Sequence, residues 1–463
     1  MNRKAEILYR LGEPLAAGMF EHENSSVVER FGLGLRRYFE HAAPPPESGR
    51  LYPAPEHDIW NLAGRFVRFH YSFSLGCDGD GLRRERLADP FERNLLDRVI
   101  DELDYFRSDL IPPRYRVGGN GWTHCVLNYR RILGEGLGGY RKRVNAMPPS
   151  PLRRALSDTL AGITDFLRRA PGDIAACAEH PARDFRSAMR SFNFFFALDC
   201  YDSAGRFDDY MGEFYNGEPD AQMWLEELYR AVDLHDGWHF LHTAKHPAFT
   251  RLCLRAQKLR RPNSGLLVGP ETPPEIWEEL FDVWGRGVPC PSVYNEAAYR
   301  SGIRHGSDAK GADRDRFAFG GCTELMFEGC SNIGSTEGGL NLLDILNNST
   351  PSRFRADIRL RMEEFASAVR ANSEFAAQYR PQLIRTLFVD DCIDRNREFN
   401  AGGARYYGSI VNVAGLTDAA NSLAAMRGIP EKFGNDSPEV DEIARKLAHH
   451  VFSLIRRYPM RQG

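Results

Sequence analysis

The sequence predicts an α/β protein, mainly helical up to about residue 260 and built on a strand-containing core over residues 261–463. Three observations lead there. In the first part apolar residues recur at helical spacing. Beyond about residue 262 they gather instead into short runs bounded by glycine and proline, as buried strands between helices do. The third observation is size: 463 residues with 42% hydrophobic content bury a large core, which is expected to form one domain over 1–463.

Taken in order, Leu95, Leu96, Val99, Ile100, Leu103 and Phe106 mark one helix, and Phe185, Met189, Phe192, Phe195 and Phe196 another. The aromatic cluster Phe192, Phe194, Phe195 and Phe196 reads as core and needs no cofactor to explain it. Breaks at Pro44-Pro45-Pro46, Pro112-Pro113 and Pro148-Pro149 separate elements without marking a domain boundary. Gly265-Leu266-Leu267-Val268 and Val288-Pro289-Cys290-Pro291-Ser292-Val293 are the expected strands. Leu340, Leu342, Leu343, Ile345 and Leu346 open a helix that Asn347-Asn348-Ser349 closes. The last helix starts at Ser437 with Pro438 in its first turn, and carries an apolar face of Val440, Ile443, Leu447, Val451, Leu454 and Ile455.

A formal net charge of −3 gives no electrostatic reason to expect nucleic acid or an anionic membrane as partner. No apolar run approaches the roughly 18 residues of a membrane span, and MNRKAEILYRLGEP lacks a signal-peptide core, so a cytoplasmic protein is expected. The nine cysteines form no CxxC pair and no zinc-ligand spacing. Most read as small buried hydrophobes. Cys322 is the exception, because Phe319-Gly320-Gly321-Cys322-Thr323-Glu324 sets a thiol and a carboxylate on a glycine-rich turn. His235, His239, His242 and His246 would share one face if the segment were helical, a pattern open to zinc or iron with Asp233 or Asp236 adding oxygen. Gly237 and Pro247 interrupt it, so no metal is expected and the histidines read as surface or pocket residues.

Several segments, in order over roughly residues 110 to 460, then point one way. They include His180-Pro181-Ala182-Arg183-Asp184-Phe185, Gly205-Arg206-Phe207-Asp208-Asp209-Tyr210 and Val288-Pro289 with Tyr294-Asn295-Glu296. Gly321-Cys322-Thr323-Glu324, Val389-Asp390-Asp391-Cys392-Ile393 and Asn400-Ala401-Gly402-Gly403-Ala404-Arg405-Tyr406 follow, and Asn421-Ser422-Leu423 and Lys432-Phe433-Gly434-Asn435-Asp436 continue the set. Together they resemble the pyruvate formate-lyase, or glycyl radical enzyme, family. The resemblance implies an α/β barrel with helices outside and the cysteine loop, residues 319–324, threaded through its centre.

It also implies roles. Cys322 would abstract hydrogen as a thiyl radical, and Glu324 would move a proton to or from the leaving group. One cysteine followed by a glutamate resembles the eliminases, dehydratases and some decarboxylases rather than the formate-lyase branch, which has two adjacent cysteines. His124, Asn128, Arg206, Thr336 and Glu337 are the expected substrate-binding residues. Asn128 stands where the family has an aspartate, and Ser335-Thr336-Glu337 replaces a stretch ending in His-Asp. The radical-bearing motif, RVxG followed by an aromatic, does not occur in these 463 residues; Arg116-Val117-Gly118-Gly119 matches the letters without the aromatic.

Three readings follow. In the first, no cofactor is bound by this chain: a second subunit supplies the last strands and the glycyl radical in trans, a radical S-adenosylmethionine activase installs it, and the assembly is an oligomer acting on a small molecule. In the second, the pocket serves a non-radical pseudoenzyme, binding protein or scaffold. In the third, the chain is shortened from a longer protein.

Overall fold

A computed structural model describes residues 14–57, 110–116, 123–235, 237–258, 264–321, 324–334, 338–429 and 436–461. The helix expected around Leu95 to Phe106 lies outside them. Near the start, α1 (Val27–His41) packs along α3 (Pro151–Arg169), with α2 (Tyr129–Ala146) between them in sequence. The α3 helix begins where Ser150 accepts a hydrogen bond from the Arg153 N–H at 3.0 Å and Pro151 presets the first turn. Close approach of the two helices requires Gly32, since a Cβ there would lie 2.5 Å from the Ala155 Cα. The predicted aromatic helix is α4 (Phe185–Leu198), capped by Asp184, which accepts from the Ser187 N–H at 2.7 Å. Phe192, Phe194, Phe195 and Phe196 are fully buried in the main core, as expected.

Four strands, β1 (Ser203–Arg206), β2 (His239–His242), β3 (Ser264–Val268) and β4 (Ser292–Asn295), form a parallel sheet in sequence order. The register pairs Leu241 with Gly265 and Leu266 with Val293. Helices α5 (Ala221–Leu234), α6 (Pro247–Ala256) and α7 (Pro274–Gly285) make the crossovers that parallel strands need. Two of the four strands thus lie before residue 260, in the part expected to be mainly helical. Each has only four residues and is buried throughout, so neither shows the alternation that reveals a half-exposed strand.

After α8 (Glu296–Gly306), β5 (Phe317–Gly320) and β6 (Glu324–Phe327) form an antiparallel hairpin that pairs Gly320 with Glu324. The β5 strand packs against β1 and β2. Next, β7 (Ser331–Asn332) pairs in parallel with β9 (Tyr406–Tyr407), and β8 (Gly339–Asn341) with β10 (Asn412–Ala414). A second core joins α9 (Leu342–Asn347), α10 (Phe354–Tyr379) and α13 (Pro438–Arg457). Between these lie α11 (Leu383–Phe388) and α12 (Leu416–Met426). On α13 the predicted face buries Ile443, Leu447, Val451 and Leu454. Among the described residues, no helix is long and apolar enough to cross a membrane.

Candidate active site

The tip of the β5–β6 hairpin is built for glycine. Gly321 has φ +55°, the left-handed region that other residues resist, and its N–H donates to the Ser203 Oγ at 3.2 Å. A Cβ on Gly320 would meet the Met326 Cε at 1.9 Å. On Gly321 it would lie 2.3 Å from His124 Nε2 and 2.9 Å from Glu324 Oε2. Two of the residues singled out in the sequence, 200 positions apart, therefore meet at the turn that leads into the cysteine. Cys322, Thr336 and Glu337 lie outside the described residues.

His124 is held from behind. Its Nδ1 donates to Asp202 Oδ1 at 2.6 Å, while Asp202 Oδ2 accepts from the Cys125 N–H at 2.7 Å and from Arg385 Nη2 at 2.9 Å. Arg385 also donates through Nε to Asp199 Oδ1 at 2.9 Å and through Nη1 to the Thr123 carbonyl. The Trp238 ring stands edge-on to the imidazole at 4.7 Å. Thr123, His124, Cys125, Asp199, Asp202 and Arg385 are each at most 3% exposed. Burial raises the Asp199 carboxyl above the ordinary range, against the pull of Arg385 beside it. Neither aspartate nor Arg385 was singled out from the sequence. The available signal was two acids closing an otherwise apolar helix end, Leu198-Asp199-Cys200-Tyr201-Asp202, which burial obliges to find a cation.

The other expected substrate residues sit differently. Asn128 caps α2, its Oδ1 accepting from the Arg131 N–H at 3.0 Å. Arg206 is buried at the end of β1, with Nε toward Asp209 Oδ2 at 3.4 Å, Nη1 toward the Phe317 carbonyl at 3.3 Å and the Phe317 ring below. Both are engaged by protein groups in this geometry.

The histidine quartet does not lie on one helix. His235 follows α5 and its Nε2 donates to the Pro55 carbonyl at 2.9 Å, His239 and His242 are on β2, and His246 precedes α6. On a strand, residues three apart point to opposite faces, which separates His239 from His242. Asp236 lies outside the described residues, and among those described no three His, Cys, Asp or Glu side chains gather to hold a metal. Gly237, one of the two interruptions visible in the sequence, lies between the end of α5 and the start of β2.

His242 Nε2 accepts from the Tyr229 hydroxyl at 3.2 Å and from Gln257 Nε2 at 2.9 Å, and burial holds the ring down to about 4. His239 is on the β5 side of the sheet, edge-on to Phe319 at 5.7 Å, with burial holding it down to about 3. Neither ring nitrogen of His239 has a hydrogen-bond partner among the described residues. Phe319 also packs on Tyr294 at 4.7 Å and on Tyr299 at 5.0 Å, so an aromatic wall leads to the glycine turn. Cys125, Cys177, Cys200, Cys253, Cys290, Cys330 and Cys392 are all buried, as expected of structural thiols.

Residues 351–429 match the family model described as pyruvate formate lyase-like. Similar structures include the glycerol-bound form of the B12-independent glycerol dehydratase from Clostridium butyricum, at 14% identity and a TM-score of 0.76, covering 98% of this chain and 78% of that one. A structure concerned with 1,2-propanediol dehydration in Roseburia inulinivorans is similar at 15% identity and 0.75, with shares of 98% and 78%. A glycyl radical enzyme from Archaeoglobus fulgidus is similar at 15% and 0.71, with shares of 98% and 79%. The resemblance read from the sequence is borne out, and the chain has the α/β barrel fold of glycyl radical enzymes.

Proposed function

We propose that this chain is a glycyl-radical-type lyase that eliminates water or a comparable group from a small hydroxylated molecule. The observation that carries this reading is the convergence of Glu324 and His124 on the glycine turn preceding Cys322. The similar structures, whose names include dehydration of glycerol, 1,2-propanediol and trans-4-hydroxy-L-proline, support it.

In this reading Cys322, as a thiyl radical, takes a hydrogen atom from a substrate carbon bearing a hydroxyl group. Glu324 accepts the proton of that hydroxyl. The neighbouring C–O bond then breaks, the leaving oxygen departs as water with the proton that Glu324 took up, and the Cys322 thiol returns its hydrogen atom to the product. His124 binds a substrate oxygen, and the buried His239 offers a hydrogen-bonding group on the same side of the sheet. Thr336 and Glu337 are the further candidates for binding substrate, while Asn128 and Arg206 are engaged by α2 and by Asp209 and Phe317. A glycyl radical supplies the one-electron oxidation of the thiol. In this reading the radical is carried by a second polypeptide and installed by a radical S-adenosylmethionine activase.

The test is co-expression with such an activase and a glycyl-radical polypeptide, followed by electron paramagnetic resonance and assays on small diols. The expected outcome is a glycyl doublet and turnover in the wild type, and the doublet without turnover in Cys322→Ala. Turnover that survives Cys322→Ala overturns the reading.

A further inference from the structure

We infer that Asp202 is a positioning residue that locks His124 in the tautomer with hydrogen on Nδ1, leaving Nε2 an acceptor on the ring edge that borders the glycine turn. The inference deepens the proposed function, since it concerns the histidine beside Glu324, but its geometry stands without the radical.

The argument is one of hydrogen-bond bookkeeping at one buried carboxylate. Asp202 Oδ1 lies 2.6 Å from His124 Nδ1. A carboxylate oxygen accepts, so that nitrogen carries the hydrogen. The other oxygen is already claimed by two donors that cannot act as acceptors: the Cys125 N–H at 2.7 Å and the Arg385 guanidinium at 2.9 Å. Arg385 is itself fixed by Asp199 and the Thr123 carbonyl, and the group is at most 3% exposed, so water does not compete for these positions. In the neutral ring, hydrogen on Nδ1 leaves Nε2 an acceptor. A Cβ on Gly321 would lie 2.3 Å from both Nε2 and Cδ2, so this edge of the ring borders the turn at the point that Glu324 Oε2 approaches to 2.9 Å. A ring fixed this way accepts a proton or a substrate hydroxyl at Nε2, and the carboxylate behind it stabilises the imidazolium that results.

The arrangement makes an atom-level prediction. In Asp202→Asn the amide oxygen must stay where the Cys125 N–H and Arg385 point. The amide NH2 then faces His124 Nδ1, which has to become the acceptor, and the hydrogen moves to Nε2. The substitution keeps size and shape while inverting the tautomer.

The experiment is a proton–nitrogen correlation spectrum of the imidazole rings in the isotope-labelled full chain, with His124 assigned by the signal missing from His124→Gln. The wild type is expected to show His124 with hydrogen on Nδ1 and a bare Nε2, and Asp202→Asn the reverse. A wild-type ring with hydrogen on Nε2, or one averaging between tautomers, overturns the inference whether or not the variant folds. An Asp202→Asn chain that keeps its wild-type melting profile and its wild-type tautomer overturns it as well. In enzyme carrying the radical, Asp202→Asn is expected to lower kcat by about 10²–10⁴-fold with KM nearly unchanged, as loss of a correctly poised acid-base group does. An Asp202→Asn rate equal to wild type overturns the inference. Failure of the lyase reading is separate: it would appear as turnover independent of Cys322, with the His124 spectrum unaffected.

Discussion

At the scale of single residues, the candidate site depends on what glycine omits. Gly320 and Gly321 leave space into which Met326, His124 and Glu324 close, and any Cβ at either position collides with one of them. Glu324 opens β6 opposite Gly320, and its Oε2 returns to within 2.9 Å of where a Cβ on Gly321 would lie. If that carboxylate moves a proton in the reaction, Glu324→Gln should lower kcat by about 10²–10⁴-fold while a glycyl doublet still forms. Equal rates for wild type and variant would remove Glu324 from the chemistry. The glycine-cysteine-glutamate string and His124 were legible in the sequence because their residue types are distinctive. Asp199, Asp202 and Arg385 were not, because charged residues scattered over nearly 190 positions acquire meaning only when burial brings them together.

At the scale of elements, caps and periodicity decided most of what could be read. Long amphipathic helices such as α4 and α13 were clear, since an apolar face repeated over several turns is a strong signal. Four-residue strands were not: β1, Ser203-Ala204-Gly205-Arg206, has no β-branched residue and no exposed face. Asn128 illustrates how an element can claim a residue that motif reading assigns to substrate. As the cap of α2 it accepts a backbone N–H, and aspartate performs that task equally well. Asn128→Ala should therefore cost about 0.5–2 kcal/mol of stability, and Asn128→Asp close to none, in urea unfolding. An alanine variant with an unchanged midpoint would show that the cap is idle.

At the scale of the whole molecule, buried ionisable groups link stability to pH in opposing directions. His239 and His242 are held near 3 and 4 by burial, below their ordinary value, so between about pH 6.5 and 4 the unfolded chain binds protons that the folded chain refuses. Their contribution to stability is present above that window and is lost as pH falls through it. Glu398, pushed up to about 7 by burial, acts the other way, favouring the folded state as pH falls from about 7 toward the ordinary carboxylate range. Removing one histidine should therefore tilt the balance. His242→Gln should gain stability relative to wild type by about 1.4 kcal/mol for each pH unit lowered between about 6.5 and 4. Parallel stability profiles for the two proteins would contradict this. The same distinction separates what each level of description supplied. The sequence by itself determined an α/β chain, a glycine-rich turn bearing Cys322 and Glu324, and the resemblance in which those residues take part, because local composition and ordered motifs survive in one dimension. Only the tertiary structure decided that His124 meets Glu324 across Gly321, that Asn128 caps a helix, and that Arg385 and Asp202 stand behind the histidine. Those contacts depend on desolvation and packing between distant segments, where an unpaired buried charge is too costly to persist.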